Sequence, residues 1–179
     1  MVNCYLETMT YAVRSHNGTL IVYEGDGIMA VFGAPIESED HADRALAAAR
    51  EMIAVRLPEF NAWMRESGLG EGFRMGIGMH SGPFVAGNVG SERRLEYTVI
   101  GDTTNTASRI QGMTKGTRHM LLFSQETKLA LQQPPEDLVH VDSFTVRGRQ
   151  QRIRLWSLEQ ISDPPVDRTA EPEAVEASS

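Results

Sequence analysis

The sequence predicts an α+β domain in which a mostly antiparallel sheet carries its helices on one face. Three observations lead there. Long stretches with apolar residues three and four apart alternate with short β-rich runs. The β-rich runs are joined by glycine-marked hairpin turns rather than by helical crossovers. No internal repeat is present along the 179 residues, which suit one domain with a substantial core.

The elements follow in order. Tyr5, Leu6, Met9, Ala12 and Val13 place an amphipathic helix over Asn3 to His16, stopped by Asn17-Gly18. Thr19–Tyr23 and Ile28–Phe32 read as two strands around Glu24-Gly-Asp-Gly27, whose glycines supply the positive φ angles of a tight turn. Gly33-Ala-Pro35 ends the second strand. Ser38 is the expected N-cap of the next helix, with Glu39 and Asp40 favouring its dipole. That helix buries Ala42, Ala45, Leu46, Ala49, Met52 and Ile53, and Pro58 should end or kink it, although Phe60, Trp63 and Met64 continue the stripe.

After a loop at Ser67–Gly72, Phe73–Met79 reads as a strand. Gly82, Gly87 and Gly90 then read as a connection. Arg94–Ile100 is a strand, followed by a helix from about Asp102 to Met113. Residues 119–123 form a short strand, Ser124 caps a helix to about Leu131, and Pro134-Pro135 breaks it. Val139–Val146 and Gln151–Leu158 complete the sheet, hinged at Gly148. Residues 1–160 are taken as the domain. Residues 161–179, rich in Pro, Glu, Ala and Ser, are taken as a disordered tail.

Composition narrows the class. Apolar residues make up 41% and charged residues 23%, and 17 basic against 24 acidic residues leave a net charge of −7. That balance argues against a nucleic-acid partner or an anionic membrane surface, though a few local arginines can still hold an anionic nucleotide. Cys4, the one cysteine, permits no internal disulfide. No apolar run has the length of a membrane span and no secretory signal is visible, so the expected location is cytoplasmic.

Three groups of residues could carry chemistry. Asp26 occupies a hairpin tip with Glu24 close by, a concentration of negative charge that a divalent cation would relieve. An aspartate in a Gly-Asp-Gly turn is also an ordinary turn residue. Asn105 and Arg109, four apart, project from one helix face, with Thr98 on the strand leading in. Arg109 could be a solvated surface arginine, yet Thr104, Asn105 and Thr106 are three weak helix formers in a row, which suggests a demand other than helicity. Arg147, beside Gly148, is the best placed of a run of arginines to meet a triphosphate, and a solvated strand face is the plain alternative. The five histidines lack metal-ligand spacing, Gly68–Gly72 does not join a strand to a helix, and no Walker-type Gly-Lys-Ser/Thr occurs.

Four segments in order resemble one known family, the class III adenylate/guanylate cyclase catalytic domain. They are Gly25-Asp-Gly-Ile-Met-Ala-Val-Phe-Gly-Ala-Pro35, Asp40-His-Ala-Asp-Arg-Ala-Leu46, Met75-Gly-Ile-Gly-Met-His-Ser-Gly82 and Tyr97-Thr-Val-Ile-Gly-Asp-Thr-Thr-Asn-Thr-Ala-Ser-Arg-Ile110. The resemblance runs from about Val2 to Leu158. It implies a ferredoxin-like palm working as a head-to-tail homodimer, or as a heterodimer with another cyclase domain, with sites at the interface. It also implies conversion of ATP or GTP to the 3′,5′-cyclic nucleotide and pyrophosphate with Mg²⁺ or Mn²⁺.

By position, the resemblance makes Asp26 a metal ligand, Asn105 the group that orients the ribose and Arg109 the cation that stabilises charge on the α-phosphoryl group. Thr98 falls where the purine is read, and Arg147 falls where a lysine contacts the terminal phosphates. Val22 stands where the family has a base-reading lysine, and its side chain cannot hydrogen-bond a purine. The family's first metal aspartate belongs to a strand upstream of the first helix. The 25 residues before Asp26 hold that helix and no such strand, which reads as a missing N-terminal segment, whether from a fragment, a misplaced start codon or a genuinely shortened gene. Activity is expected only if that strand is restored or supplied by a partner. Two readings follow: an adenylate-type cyclase domain, or a catalytically degenerate cyclase-homology domain that acts as a dimerisation or regulatory module.

Overall fold

A computed structural model describes residues 1–91, 94–145 and 152–161. Helix α1 spans Val2–Ser15 and buries Met9, Ala12 and Val13 at helical spacing. It ends at Asn17, whose φ of +59° is a left-handed conformation that asparagine tolerates better than most residues. The chain then enters strands β1 (Thr19–Glu24) and β2 (Gly27–Val31), an antiparallel hairpin paired from Thr19↔Val31 to Glu24↔Gly27. A register shift between Leu20 and Val22 leaves Ile21 as an extra residue, a bulge that increases local twist. Gly25 alone of the two turn glycines has a positive φ, +65°.

Helix α2 spans His41–Glu51, with Asp40 rather than Ser38 at its N-cap. The Ser38 hydroxyl donates to the Asp40 carboxylate, which also accepts from Arg44 Nε at 2.7 Å. Ser38 therefore braces the capping residue. A π-helical segment, Met52–Arg56, joins α2 to helix α3 (Leu57–Glu66) without a break. Pro58 lacks an N–H, and here it falls in the first turn of α3, while the Leu57 amide reaches back to the Met52 carbonyl. The expected interruption is absorbed as one wide turn.

Strand β3 (Ile77–Met79) is shorter than the run 73–79 suggested. Phe73 exchanges two hydrogen bonds with the Asn61 side chain, at 2.9 and 3.1 Å, so an amide side chain replaces a neighbouring strand there. Strand β4 (Val85–Ser91), expected to be a glycine-rich connection, pairs residue for residue with β5 (Arg94–Ile100). Helix α4 spans Asp102–Met113, and strand β6 (Leu121–Ser124) leads into helix α5 (Gln125–Ala130), where the Ser124 hydroxyl accepts from the Thr127 amide as expected of a cap. Strands β7 (Leu138–Thr145) and β8 (Arg152–Leu158) are followed by a 3₁₀ turn, Glu159–Ile161. Ile161 is buried in the core beside Leu158. Residues 162–179 and Gly148 lie outside the described residues.

A four-stranded sheet has the order β3-β6-β8-β7, and β1-β2 and β4-β5 form separate hairpins. Pairing is antiparallel except between β3 and β6, which run parallel. That pair needs a crossover, supplied by the β4-β5 hairpin and α4, where the sequence suggested hairpins alone. The α+β class and the mainly antiparallel sheet are as expected.

Layering follows from strand alternation. Leu121 and Phe123 of β6 pack with Ala42, Leu46, Ala49 and Ile53, whereas Leu122 between them packs with Ile110 of α4. Helix α1 shares one side with α2, where its Met9, Ala12 and Val13 meet Met52 of the π-helical segment and Leu57 of α3. Helix α4 covers the opposite face, so the helices are not confined to the one face the sequence suggested. With a layer on each side, all four residues of β6 are buried.

Candidate active site

Asp26 occupies the tip of the β1-β2 turn and is exposed, as is Glu24. No hydrogen bond or ion pair holds the Asp26 carboxylate among the described residues. Its charge nevertheless reaches Tyr5 on α1, whose phenol is pushed up to about 12, first by burial and second by Asp26. Tyr5 is itself wedged edge-on between Phe60 and Phe73, with ring centroids 5.6 and 5.0 Å away. The aspartate therefore stands on a hairpin backed by an aromatic cluster.

The weak helix formers at the start of α4 now have reasons. Thr103 donates to the Pro83 carbonyl at 2.6 Å and Thr104 to the Gly101 carbonyl at 2.8 Å, so their hydroxyls fasten the first turn. Thr106 is buried at 1% exposure and Ile110 at 0%, one turn on. Asn105 and Arg109 lie on the outer face between them, exposed, with no side-chain partner among the described residues. The helix thus offers an amide and a guanidinium together, both with their hydrogen-bonding capacity unspent.

Thr98 is half-buried on β5 and lies directly across from Gly87 on β4. Residues directly opposite in an antiparallel pair share a face, and a glycine there leaves the threonine uncovered. Open space surrounds the position a Gly87 side chain would take. The missed strand hid this pairing in the sequence. Val22 is 40% exposed on β1, and β1 lies beside β5, so the strands carrying Val22 and Thr98 are neighbours.

Within one chain the residues fall into two sets. Val22 and Asp26 belong to the β1-β2 hairpin, and Asn105 and Arg109 to α4. Among the described residues no hydrogen bond or ion pair joins Asp26 to either α4 residue. Arg147 lies outside the described residues. No group of three His, Cys, Asp or Glu side chains gathers into a metal cage among the described residues. The free carboxylate of Asp26 is the donor type that a hard divalent cation takes, and it provides one ligand of a site that needs more. No helix among the described residues is long and apolar enough to cross a membrane.

Comparison with known proteins agrees along nearly the whole chain. The sequence profile of the Adenylate and Guanylate cyclase catalytic domain matches residues 1–160. Adenylate cyclase 1 of Rhizobium meliloti is 42% identical over 115 residues, covering 64% of this chain and 17% of that protein. An uncharacterised protein of Mycobacterium tuberculosis is 34% identical over 169 residues, 92% of this chain and 28% of its own length. The chain thus spans less than a third of the length of either relative. Among solved structures, the guanylyl cyclase Cya2 superposes with a TM-score of 0.78 at 31% identity, covering 91% of this chain and 80% of that one. The adenylyl cyclase CyaB from P. aeruginosa shares the fold, with a TM-score of 0.76 at 24% identity over 93% and 82% of the two chains. The chain belongs to the adenylate and guanylate cyclase catalytic domain family, and its palm is the nucleotidyl cyclase fold.

Proposed function

We propose that this chain is the catalytic domain of a nucleotidyl cyclase that converts ATP, less readily GTP, to the 3′,5′-cyclic nucleotide and pyrophosphate in cytoplasmic signalling. The reaction is an in-line displacement. The ribose 3′-oxygen attacks the α-phosphorus, its proton passes to water, and the bond from the α-phosphorus to the oxygen bridging to the β-phosphate breaks, so that pyrophosphate leaves. Little covalent work falls to the protein, so positioning and charge stabilisation dominate. Arg109 meets the charge that builds on the α-phosphoryl oxygens, and Asn105 holds the ribose so that its 3′-oxygen lies in line. Thr98 reads the purine edge beside Val22, and Arg147 meets the terminal phosphates. Asp26 would hold Mg²⁺ or Mn²⁺, which neutralises phosphate charge and acidifies the attacking hydroxyl when bound.

The single observation behind this reading is the outer face of α4, where Asn105 and Arg109 stand unpartnered one turn apart in a chain of this family. In the head-to-tail dimer that the family resemblance implies, one protomer would give Asp26 and its partner Asn105 and Arg109. The test is cyclic AMP and cyclic GMP production with Mn²⁺ or Mg²⁺, on this chain alone and with its natural flanking sequence. Activity lost in both Asp26→Ala and Arg109→Ala supports the reading. Dimerisation without product under every condition would favour a second one.

That second reading is a degenerate cyclase-homology domain acting as a dimerisation or regulatory module. It draws on Val22, an exposed aliphatic where the purine is to be read.

A further inference from the structure

The segment Met75–Gly82, which contributes no group to the proposed chemistry, lies under α4 along its length. Gly78 of β3 is the closest point. A Cβ there would stand 2.6 Å from Gln111 Cα, and closer still to the Gln111 amide nitrogen and the Ala107 carbonyl oxygen. These are backbone atoms of α4, so no rotamer change could make room. At Gly76 a Cβ would lie 3.1 Å from the Cβ of Thr114, whose side chain is buried.

Just upstream, the Arg74 guanidinium donates to the Thr114 carbonyl at 3.3 Å and to the Thr117 carbonyl at 2.8 Å. The Thr114 carbonyl belongs to the C-cap of α4, where a cation and its donors are favourable, and the Thr117 carbonyl to the turn that follows. Downstream, Gly82 leaves room for the Thr103 hydroxyl, whose oxygen would be 2.9 Å from a Cβ, on its way to the Pro83 carbonyl. One short stretch therefore grips the helix at its start, middle and end.

We infer that Gly78 and Arg74 are positioning residues for the reaction, setting the depth and axial register of α4 and through it the placement of Asn105 and Arg109. This inference rests on the proposed role of those two residues. Ala107 and Gln111, which touch the Gly78 backbone, alternate along the helix with Asn105 and Arg109. A side chain at 78 must lift α4, because the atoms it would meet are helix backbone and Ile110 seats the inner face of the helix on Leu122 and Leu155 of the sheet. Raising it by about 1 Å is the scale of misplacement that costs about 10²-fold in rate.

The test measures kcat and KM for Gly78→Ala, Arg74→Ala and Arg74→Lys, each alone and combined with Arg109→Ala. Amide hydrogen exchange over residues 102–113 is followed in the same proteins. The expected result is a kcat lowered about 10²-fold in Gly78→Ala and about tenfold in Arg74→Ala, with KM within about threefold. Arg74→Lys, which keeps a donor at the helix end, should recover part of the loss. In the Arg109→Ala background each substitution should cost far less, because the group it positions is gone. Exchange in α4 should quicken in Arg74→Ala, an exposed site where folding is not at stake. Full additivity with Arg109→Ala, or an unchanged kcat in both Gly78→Ala and Arg74→Ala, would overturn the inference. If Gly78→Ala fails to fold, the Arg74 pair decides alone. If Arg109→Ala itself leaves kcat intact, the site reading has failed, and the exchange data report on the clamp separately.

Discussion

Tyr5 on α1 and Asp26 at the β1-β2 turn are electrostatically coupled, although they belong to different elements. Burial chiefly, and the Asp26 charge in addition, push the Tyr5 phenol up to about 12. A group whose protonated form is favoured in the folded state stabilises at pH below its unfolded pKa of about 10, and the contribution is lost as pH rises through the folded value. Asp26→Asn should therefore lower the Tyr5 pKa while leaving it above that of a free tyrosine. Ultraviolet titration of the wild type and of Tyr5→Phe, which removes the signal, checks the assignment. An unchanged titration in Asp26→Asn would show that burial acts alone.

Glu51 gives the opposite sign. Burial raises its pKa, but hydrogen bonds from Arg56, His16 and Ser15 outweigh it and hold the carboxyl below the usual range. Its stabilising contribution is present above the unfolded pKa and is lost as pH falls through the depressed folded value. Glu51→Gln should cost about 1 kcal/mol at neutral pH and less at acid pH, below the depressed folded value, where the carboxyl takes up its proton. Urea unfolding at the two pH values measures this. A cost independent of pH would point to packing instead.

A shared site makes a complementation prediction. Asp26→Ala and Arg109→Ala should each be nearly inactive, yet mixed in equal amounts they should recover about a quarter of wild-type turnover. Half the dimers are then mixed, and each retains one intact site of two. A mixture as dead as its components, at concentrations where subunits exchange, would place both residues in one protomer's site or in none.

Base choice should respond to Val22. A lysine there would present an ammonium donor, which suits the unprotonated ring nitrogen N1 of adenine and not the N1–H of guanine. Val22→Lys should raise the ATP-over-GTP ratio of kcat/KM. Because Val22 is 40% exposed, stability should stay within about 0.5 kcal/mol. An unmoved ratio would show that the purine is read elsewhere.

The core carries its own expectation. Phe123 is wholly buried between the α2 residues and Leu158, so Phe123→Ala should cost about 3–5 kcal/mol. Chemical denaturation would measure the loss, and a cost below about 1 kcal/mol would mean that the site collapses around the deletion.

The sequence by itself determined those features that depend on near neighbours. Apolar spacing located α1 and α2, Gly25 marked the turn that exposes Asp26, and the four-residue interval put Asn105 and Arg109 on one face of α4. Ser124 was legible as a cap because a cap needs only the three residues after it.

Only the tertiary structure decided what depends on distant partners. β4 is glycine-rich and weak in strand propensity, and β5 alone makes it a strand. The parallel β3–β6 pair, the second helical layer formed by α4, and the wide turn that carries the helix past Pro58 are likewise settled by packing. Gly78 looks like any other glycine in a row until α4 is laid across it. Spacing along a chain reports which face a side chain takes, whereas the surface it meets is set by chain tens of residues away.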